Sequence, residues 1–297
     1  MAGGAELRDL RDRIDGVKST KKMTHAMEMI AASRIAEARA RVEAARPYAE
    51  QITEMLRDLA GEEDVADHPL IAEREQVGTV GVVVIASDRG LAGAYNANVL
   101  RRGDRLMDQE RQADREVVVY TVGRKAETHY RYRGDPPEEA WRGVSDKPSY
   151  AAAQEIGGVV MAAYESEQID RLWLVYTDFR SAMVQEAVAA MILPVDPRDL
   201  EDDEDDEGHS AEFMFEPEPA EILERLIPSY VVHRIFAALL EAAASEHAMR
   251  QRAMKAATDN AEELIDDLQR EANSARQAAI TSEIAEITAG AEALQQG

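Results

Sequence analysis

From Leu7 onward, apolar residues fall three and four positions apart: Leu7, Leu10, Ile14, Val17, then Ala31, Ile35, Ala38, Val42, Ala45, Ala49, Ile52, Leu56 and Leu59. That alternation keeps one stripe of a helix apolar through several heptads, and such a stripe is closed by packing on another helix. Charged residues fill the other faces, and only Gly16 and Pro47 interrupt the pattern. A glycine costs about 1 kcal/mol inside a helix, and a proline kinks it. A helix of about 50 residues runs roughly 75 Å at 1.5 Å per residue. No compact globule of this size needs such a rod.

The C-terminal part behaves the same way. Between Pro228 and Gly290 there is neither glycine nor proline, an uninterrupted run of roughly 90 Å as helix. Met254, Ala257, Ala261, Leu264, Leu268, Ala275, Ala278 and Ala285 form one stripe, mostly of small residues that let two backbones approach. A second stripe, Ile280, Ile284, Ile287, Ala291 and Leu294, runs down the last turns. Two stripes exceed what one two-stranded seam buries; the surplus predicts either an outside partner or a tail that folds back on its own chain. In the N-terminal helix the register places Lys21, Thr24 and Glu28 where apolar residues are due, while Met23, Met27 and Ile30 make a displaced apolar face. Two readings stand: a local stutter, or a stretch that faces an additional partner.

Residues 77–195 change period. Val77–Ala86, Glu116–Val122 and Arg171–Thr177 are β-branched runs, with a further strand expected near 184–193 and helical patterns near 93–113 and 150–167. Strand–helix alternation with continuous apolar strands indicates a small α/β domain with a parallel sheet. The fold class is therefore α/β plus long helices, divided as 1–60, 61–221 and 222–297. Residues 199–207, acidic at every position but Leu200, read as a solvated loop.

Charge and composition narrow the function. The chain of 297 residues carries a net charge of −24, and 60–221 holds 16 basic against 36 acidic residues, net −20. So acidic a middle argues against wrapping nucleic acid, which needs clustered Lys and Arg. The absence of cysteine excludes disulfides, thiolate metal sites and thiol catalysis. No apolar run approaches the ~20 residues of a membrane span. The opening residues Met1–Glu6 lack a signal-type apolar region and carry an early acid. A soluble protein of a reducing, bacterial compartment is expected.

Catalytic chemistry finds little support. Ser87–Gly93 follows a strand and leads into a helix, but lacks the Walker Gly-Lys-Ser/Thr and the GxGxxG pattern. Tight strand-to-helix turning accounts for it better than nucleotide binding. The six histidines show no HxxxH spacing, and no Ser/His/Asp set stands out. The most singular local chemistry is cationic: Arg250, Arg252, Lys255 and Arg276 lie on an otherwise acidic or apolar helix. They read either as solvated surface or as donors to a carboxylate-bearing partner.

Four segments carry a recognisable pattern: Thr20–Arg34 (TKKMTHAMEMIAASR), Ser87–Leu91 (SDRGL), Arg252–Asn260 (RAMKAATDN) and Ala275–Thr281 (ARQAAIT). In that order, over nearly the whole chain, they resemble the gamma subunits of F-type ATP synthases. The resemblance implies an antiparallel two-helix coiled coil of the termini with a central Rossmann-like α/β domain. It implies a non-catalytic rotor shaft without a cofactor, coupling proton flow to conformational cycling of the catalytic beta subunits. The implied partners are a ring of three alpha and three beta subunits, epsilon, and the membrane c-ring. The implied location is peripheral, on the cytoplasmic face of a bacterial plasma membrane. Carried over by motif, Met27 and its neighbours, with Arg250, would meet the acidic lever of a beta subunit. Arg276, Gln277 and Thr281 would be donors that grip a beta loop, with Glu283 in the same motif. Phe215 and Glu216 resemble the segment near the c-ring and epsilon. A flagellin-like filament subunit, which also joins terminal helices around a variable middle, is the structural alternative. An enzyme would place its ligand at the carboxyl ends of the strands near Asp88.

Overall fold

The structure, a computed structural model, describes residues 2–60, 70, 71, 74, 76–195 and 218–295. Two long helices flank the rest, α1 (Ala2–Ala60) and α5 (Pro219–Gln295). Between them come β1 (Thr79–Ile85), α2 (Tyr95–Gln112), β2 (Glu116–Val122), α3 (Arg124–Arg133) and β3 (Glu139–Trp141). They are followed by α4 (Tyr150–Glu165), β4 (Arg171–Phe179) and β5 (Gln185–Leu193). Contacts divide the chain into two compact units, Met1–Ala31 with Arg250–Gly297, and Ala32–Met249.

The second unit is a layered α/β domain. Its sheet has the order β3-β2-β1-β4-β5. β1 pairs in parallel with β2 and β4, and β2 with β3, as helical crossovers require. β5 runs antiparallel to β4, so the sheet is mixed rather than wholly parallel. The cause is the connection: residues 180–184 are too few for a crossover, and Ser181 closes them into a hairpin. Its N–H donates to the Val184 carbonyl (3.1 Å), and its Oγ accepts from the N–H groups of Met183 (3.3 Å) and Val184 (3.1 Å).

The period of two along β1 sorts its side chains between two cores. Val80, Val82 and Val84 pack with Val99, Leu106 and Met107 of α2 and with Ala126 and Tyr130 of α3. Val83 and Ile85 face the opposite way. There they join Ile156 and Val160 of α4, Ile227 and Val231 of α5, and Leu56 and Leu59 of α1. Ser149 caps α4, its Oγ accepting from the N–H of Ala152 (3.2 Å). Among the described residues, α5 alone combines helical length with an apolar 18-residue window, of mean hydropathy 1.3, and half of that window is buried within the chain.

In the first unit α1 and α5 pair antiparallel. Thr24 Oγ1 lies 2.7 Å from Thr258 Oγ1, and Lys21 Nζ lies 2.8 Å from Glu262. Leu10, Ile14, Leu268 and Ala272 share one buried cluster, with Leu7, Val17 and Ala275 against it. The seam on α5 therefore follows 254, 258, 261, 265, 268, 272 and 275. Leu264, expected on this stripe, is exposed, and Ile265 is buried in its place. Strict heptad spacing puts polar Thr258 in the seam, where an apolar-only reading had chosen Ala257. Ala278 and Ala285 are exposed. There is no stutter in α1: the register runs unbroken through Lys21, Thr24 and Glu28, and the displaced face carrying Met23 and Ile30 is exposed.

Candidate partner-contact site

Four of the expected contact residues lie on successive turns of α5, and all four are exposed: Arg276, Gln277, Thr281 and Glu283. Helical spacing sets them in two rows. Arg276 and Glu283 share a row with Ile280 and Ile287, while Gln277 and Thr281 share one with Ile284. These isoleucines are 49%, 67% and 61% exposed for 280, 287 and 284 respectively. Covering each would contribute about 1–2 kcal/mol. Arg276 makes no ion pair among the described residues, so its guanidinium is available. Thr281 differs from its expected part as a donor: its Oγ1 donates to the Gln277 carbonyl at 2.9 Å. Its hydroxyl faces outward as an acceptor unless the proton turns. Glu283 also lines a groove floored by Leu10, Ala275, Ala278 and Ala279. Glu6, Asp9, Glu271, Glu286 and Arg13 stand around that groove.

A second set lies further back along the same unit. Counting from the Thr24–Thr258 pair places Met27 level with Lys255. Met23, Met29 and Ile30 are exposed around Met27, which is half-buried. Arg250 is only 8% exposed, so most of its guanidinium is turned into the protein, whereas Arg252 and Lys255 are exposed. At 1.5 Å per residue this set is roughly 30 Å along α5 from Arg276. The expected contact residues thus form two separate patches. Sequence reasoning did not bring together the carboxylates of the groove, whose convergence depends on pairing of the helices. Phe215 and Glu216, and the acidic 199–207 tract, lie outside the described residues.

The Ser87–Gly93 loop is tied down by its own chain. Asp88 Oδ1 accepts from the N–H of Arg124 (3.1 Å), the first residue of α3. Its Oδ2 accepts from the N–H groups of Gly143 (2.8 Å) and Ser145 (3.3 Å). Ser87 N–H donates to Asn96 Oδ1 at 3.0 Å. A helix N-terminus attracts anions through its free N–H groups, and at α3 the Asp88 carboxylate of the same chain takes that place. Gly123, just before α3, has φ +90, and a Cβ there would lie 2.1 Å from the Ala86 carbonyl oxygen. The strand-to-helix passage is packed backbone against backbone, as a tight turn requires.

A family model described as ATP synthase matches residues 6–294. The ATP synthase gamma chain of Parafrankia sp. (strain EAN1pec) is 50% identical over 301 residues, covering 100% of both chains. That of Mycolicibacterium gilvum (strain PYR-GCK) is 47% identical over 304 residues, covering 98% of each. Among solved structures, a chain of the Euglena gracilis mitochondrial ATP synthase (OSCP/F1/c-ring) superposes with TM-score 0.68 at 17% identity. It covers 99% of this chain and 96% of its own. A chain from the Tetrahymena thermophila central stalk and c-ring gives TM-score 0.62 at 23% identity, over 79% and 99%. At such identities the structural likeness speaks to the fold alone. The family match and the full-length relatives do not favour the filament reading, and the chain belongs to the ATP synthase gamma chain family.

Proposed function

We propose that this chain is the non-catalytic rotor of a bacterial F-type ATP synthase. The antiparallel helices enter the ring of three alpha and three beta subunits, and the sheet domain meets epsilon and the membrane c-ring. The division into shaft-forming helices, 1–60 and 222–297, and an intervening domain, 61–221, follows from that reading. The complex sits at the cytoplasmic face of the plasma membrane, to which this chain is peripheral. Family membership supports the reading. The observation that carries it is the distal part of α5, whose isoleucines and polar groups face outward with no covering element among the described residues.

The mechanism is a coupled switch without bond chemistry in this subunit. A single asymmetric shaft presents a different face to each of three nucleotide sites in turn. Each site shifts between open and closed states because its contacts with the shaft differ between them, and that differential is the coupling free energy. Ion flow turns the shaft toward synthesis, and ATP hydrolysis turns it the other way. Arg276, Gln277 and Glu283 are polar contacts at one rotary position, with Thr281 beside them. Met27 with Lys255, flanked by Arg250, is the contact with an acidic lever.

Arg276→Ala in the reconstituted complex tests this. Because Arg276 makes no ion pair within the described chain, the variant folds and assembles normally. ATP synthesis and torque fall through loss of intermolecular charge-assisted bonds. Normal synthesis and torque in an assembled R276A complex would refute the assigned contact.

A further inference from the structure

Over three successive layers of the first unit, α1 sets polar residues on the seam, opposite Ala261, Thr258 and Met254 of α5. Counted from the hydroxyl pair, Leu7, Leu10, Ile14 and Val17 lie level with Ala275, Ala272, Leu268 and Ile265, an apolar end that carries one buried cluster. The next layers set Lys21 against Ala261, Thr24 against Thr258, and Glu28 against Met254. Apolar seam packing resumes at Ala31, which is 1% exposed. Lys21 reaches across to Glu262 at the rim (2.8 Å), and the Glu28 carboxylate is met by His25 Nδ1 at 3.3 Å on its own helix. The outer face of these same turns carries exposed Met23, Met29 and Ile30.

What closes the middle layer is a pair of hydroxyls with two protons and three bonds to make. Thr24 Oγ1 is placed to donate to the Lys21 carbonyl (3.1 Å), Thr258 Oγ1 to the Met254 carbonyl (2.9 Å), and either to the other (2.7 Å). Whichever proton sits between the hydroxyls, one backbone bond goes unmade. Both side chains are nearly excluded from water. A polar residue at a seam position lowers the stability of a coiled coil while selecting its pairing. Segments with few buried apolar contacts open at lower free energy than their neighbours.

We infer that residues 21–28 of α1, with 254–262 of α5, form a weak layer in the helix pair, held by one hydroxyl–hydroxyl bond, a rim ion pair and the α5 side chains Met254 and Ala261 with no large apolar residue opposite them on α1, that opens while the apolar seam at 7–17 and 265–275 stays closed. The inference rests on the pairing of these helices alone and stands whether or not the chain acts as a rotor.

Amide hydrogen exchange on the full-length chain tests it. The amides of 22–30 and 254–261 exchange at least about tenfold faster than those of 13–18 and 264–272. Replacing both hydroxyls with methyl groups of the same shape, T24V/T258V, slows the weak segment about tenfold, whereas T258V alone, which sets the Thr24 hydroxyl against a methyl, speeds it about threefold. T24S/T258S keeps both hydroxyls and the native pattern. Circular dichroism confirms that each variant stays helical, and the comparison of segments in the native chain needs no variant. Equal protection of 22–30 and 13–18 in the native chain overturns the inference, and so does unchanged exchange in a helical T24V/T258V.

Discussion

Substituting Gly123 by alanine tests the packing of the strand-to-helix passage. The residue holds φ +90 and ψ 140, a region open almost only to glycine, and forcing alanine into it costs about 1–3 kcal/mol. Steric overlap adds to that strain. The new Cβ would lie 2.1 Å from Ala86 O, 2.8 Å from Ala86 C and 3.0 Å from Ser87 C, all of them backbone atoms, so no side chain can swing aside. Relief requires β1 and the start of α3 to separate. That breaks the two bonds that bridge the end of β1 to this passage, Ala86 N–H to Val122 O (2.9 Å) and Lys125 N–H to Ser87 O (3.0 Å). At about 1 kcal/mol for each of two bonds lost, the total destabilisation is about 3–5 kcal/mol. Urea unfolding followed by tryptophan fluorescence reads it well, since Trp141 and Trp173 both lie in the sheet. Gly90→Ala is the control: nothing lies within 4 Å of its Cβ position, and its midpoint stays with the native chain. A G123A loss below about 1 kcal/mol would refute the account of the turn.

Three further outcomes follow from the same structure. Burial pushes the Asp170 carboxyl up, but the N–H groups of Thr79 and Gly78 together with Arg74 outweigh it and hold the group below its ordinary value. The stabilisation is therefore complete above the unfolded value near 4 and is lost as pH falls through the lower folded one. Asp170→Asn costs about 1–3 kcal/mol at neutral pH, and its gap from the native chain narrows in urea titrations as pH drops from 5 to 2. A gap that stays constant with pH would contradict it. Gly16→Ala, at an exposed helical position with nothing within 4 Å, gains about 0.5–1 kcal/mol of local helix stability. Hydrogen exchange of residues 12–20 should slow severalfold. The triple change I280S/I284S/I287S leaves the midpoint of the free chain within about 0.5 kcal/mol but impairs assembly with the alpha and beta subunits, scored by co-purification. Full assembly would sink the interface assignment.

The long helices were legible because heptad spacing is a repeated signal, and even Gly16 and Pro47 do not break α1. Four of five strands were legible because Val-rich runs such as Val82–Val84 persist when both faces of a sheet are covered. α3 was not, since its ten residues bury only Ala126, Glu127 and Tyr130, too few to show a period. β3 is three residues long and exists by pairing with β2. The direction of β5 depends on the Ser181 hairpin, whose turn chemistry the strand pattern hides. Choosing Leu264 over Ile265 shows a different failure. A search for apolar residues alone passes over a seam threonine, and the register then slips by one. The expected contact residues were read from motif resemblance, which carries no burial. That is why inward-turned Arg250 and the spent proton of Thr281 show only in the folded structure.

What distal α5 does for the folded chain is also an argument about its purpose. From Arg276 to Ala289 every residue is exposed except half-buried Ala279, so this stretch gains almost nothing from tertiary packing. An isolated helix of that length is marginal in water, because nucleation is costly. Here the paired turns before it supply the nucleus. A stretch held only by propagation has no internal need for three isoleucines, whose exposure is a standing cost in solubility. Apolar surface of this kind is retained where a partner covers it. The row itself adds direction: Arg276 and Glu283, of opposite charge, alternate with Ile280 and Ile287 along one face. A purely apolar row would bind in any rotational setting, whereas fixed charges make one setting better than its neighbours. A surface that must turn against a partner, and still distinguish its positions, requires both properties at once.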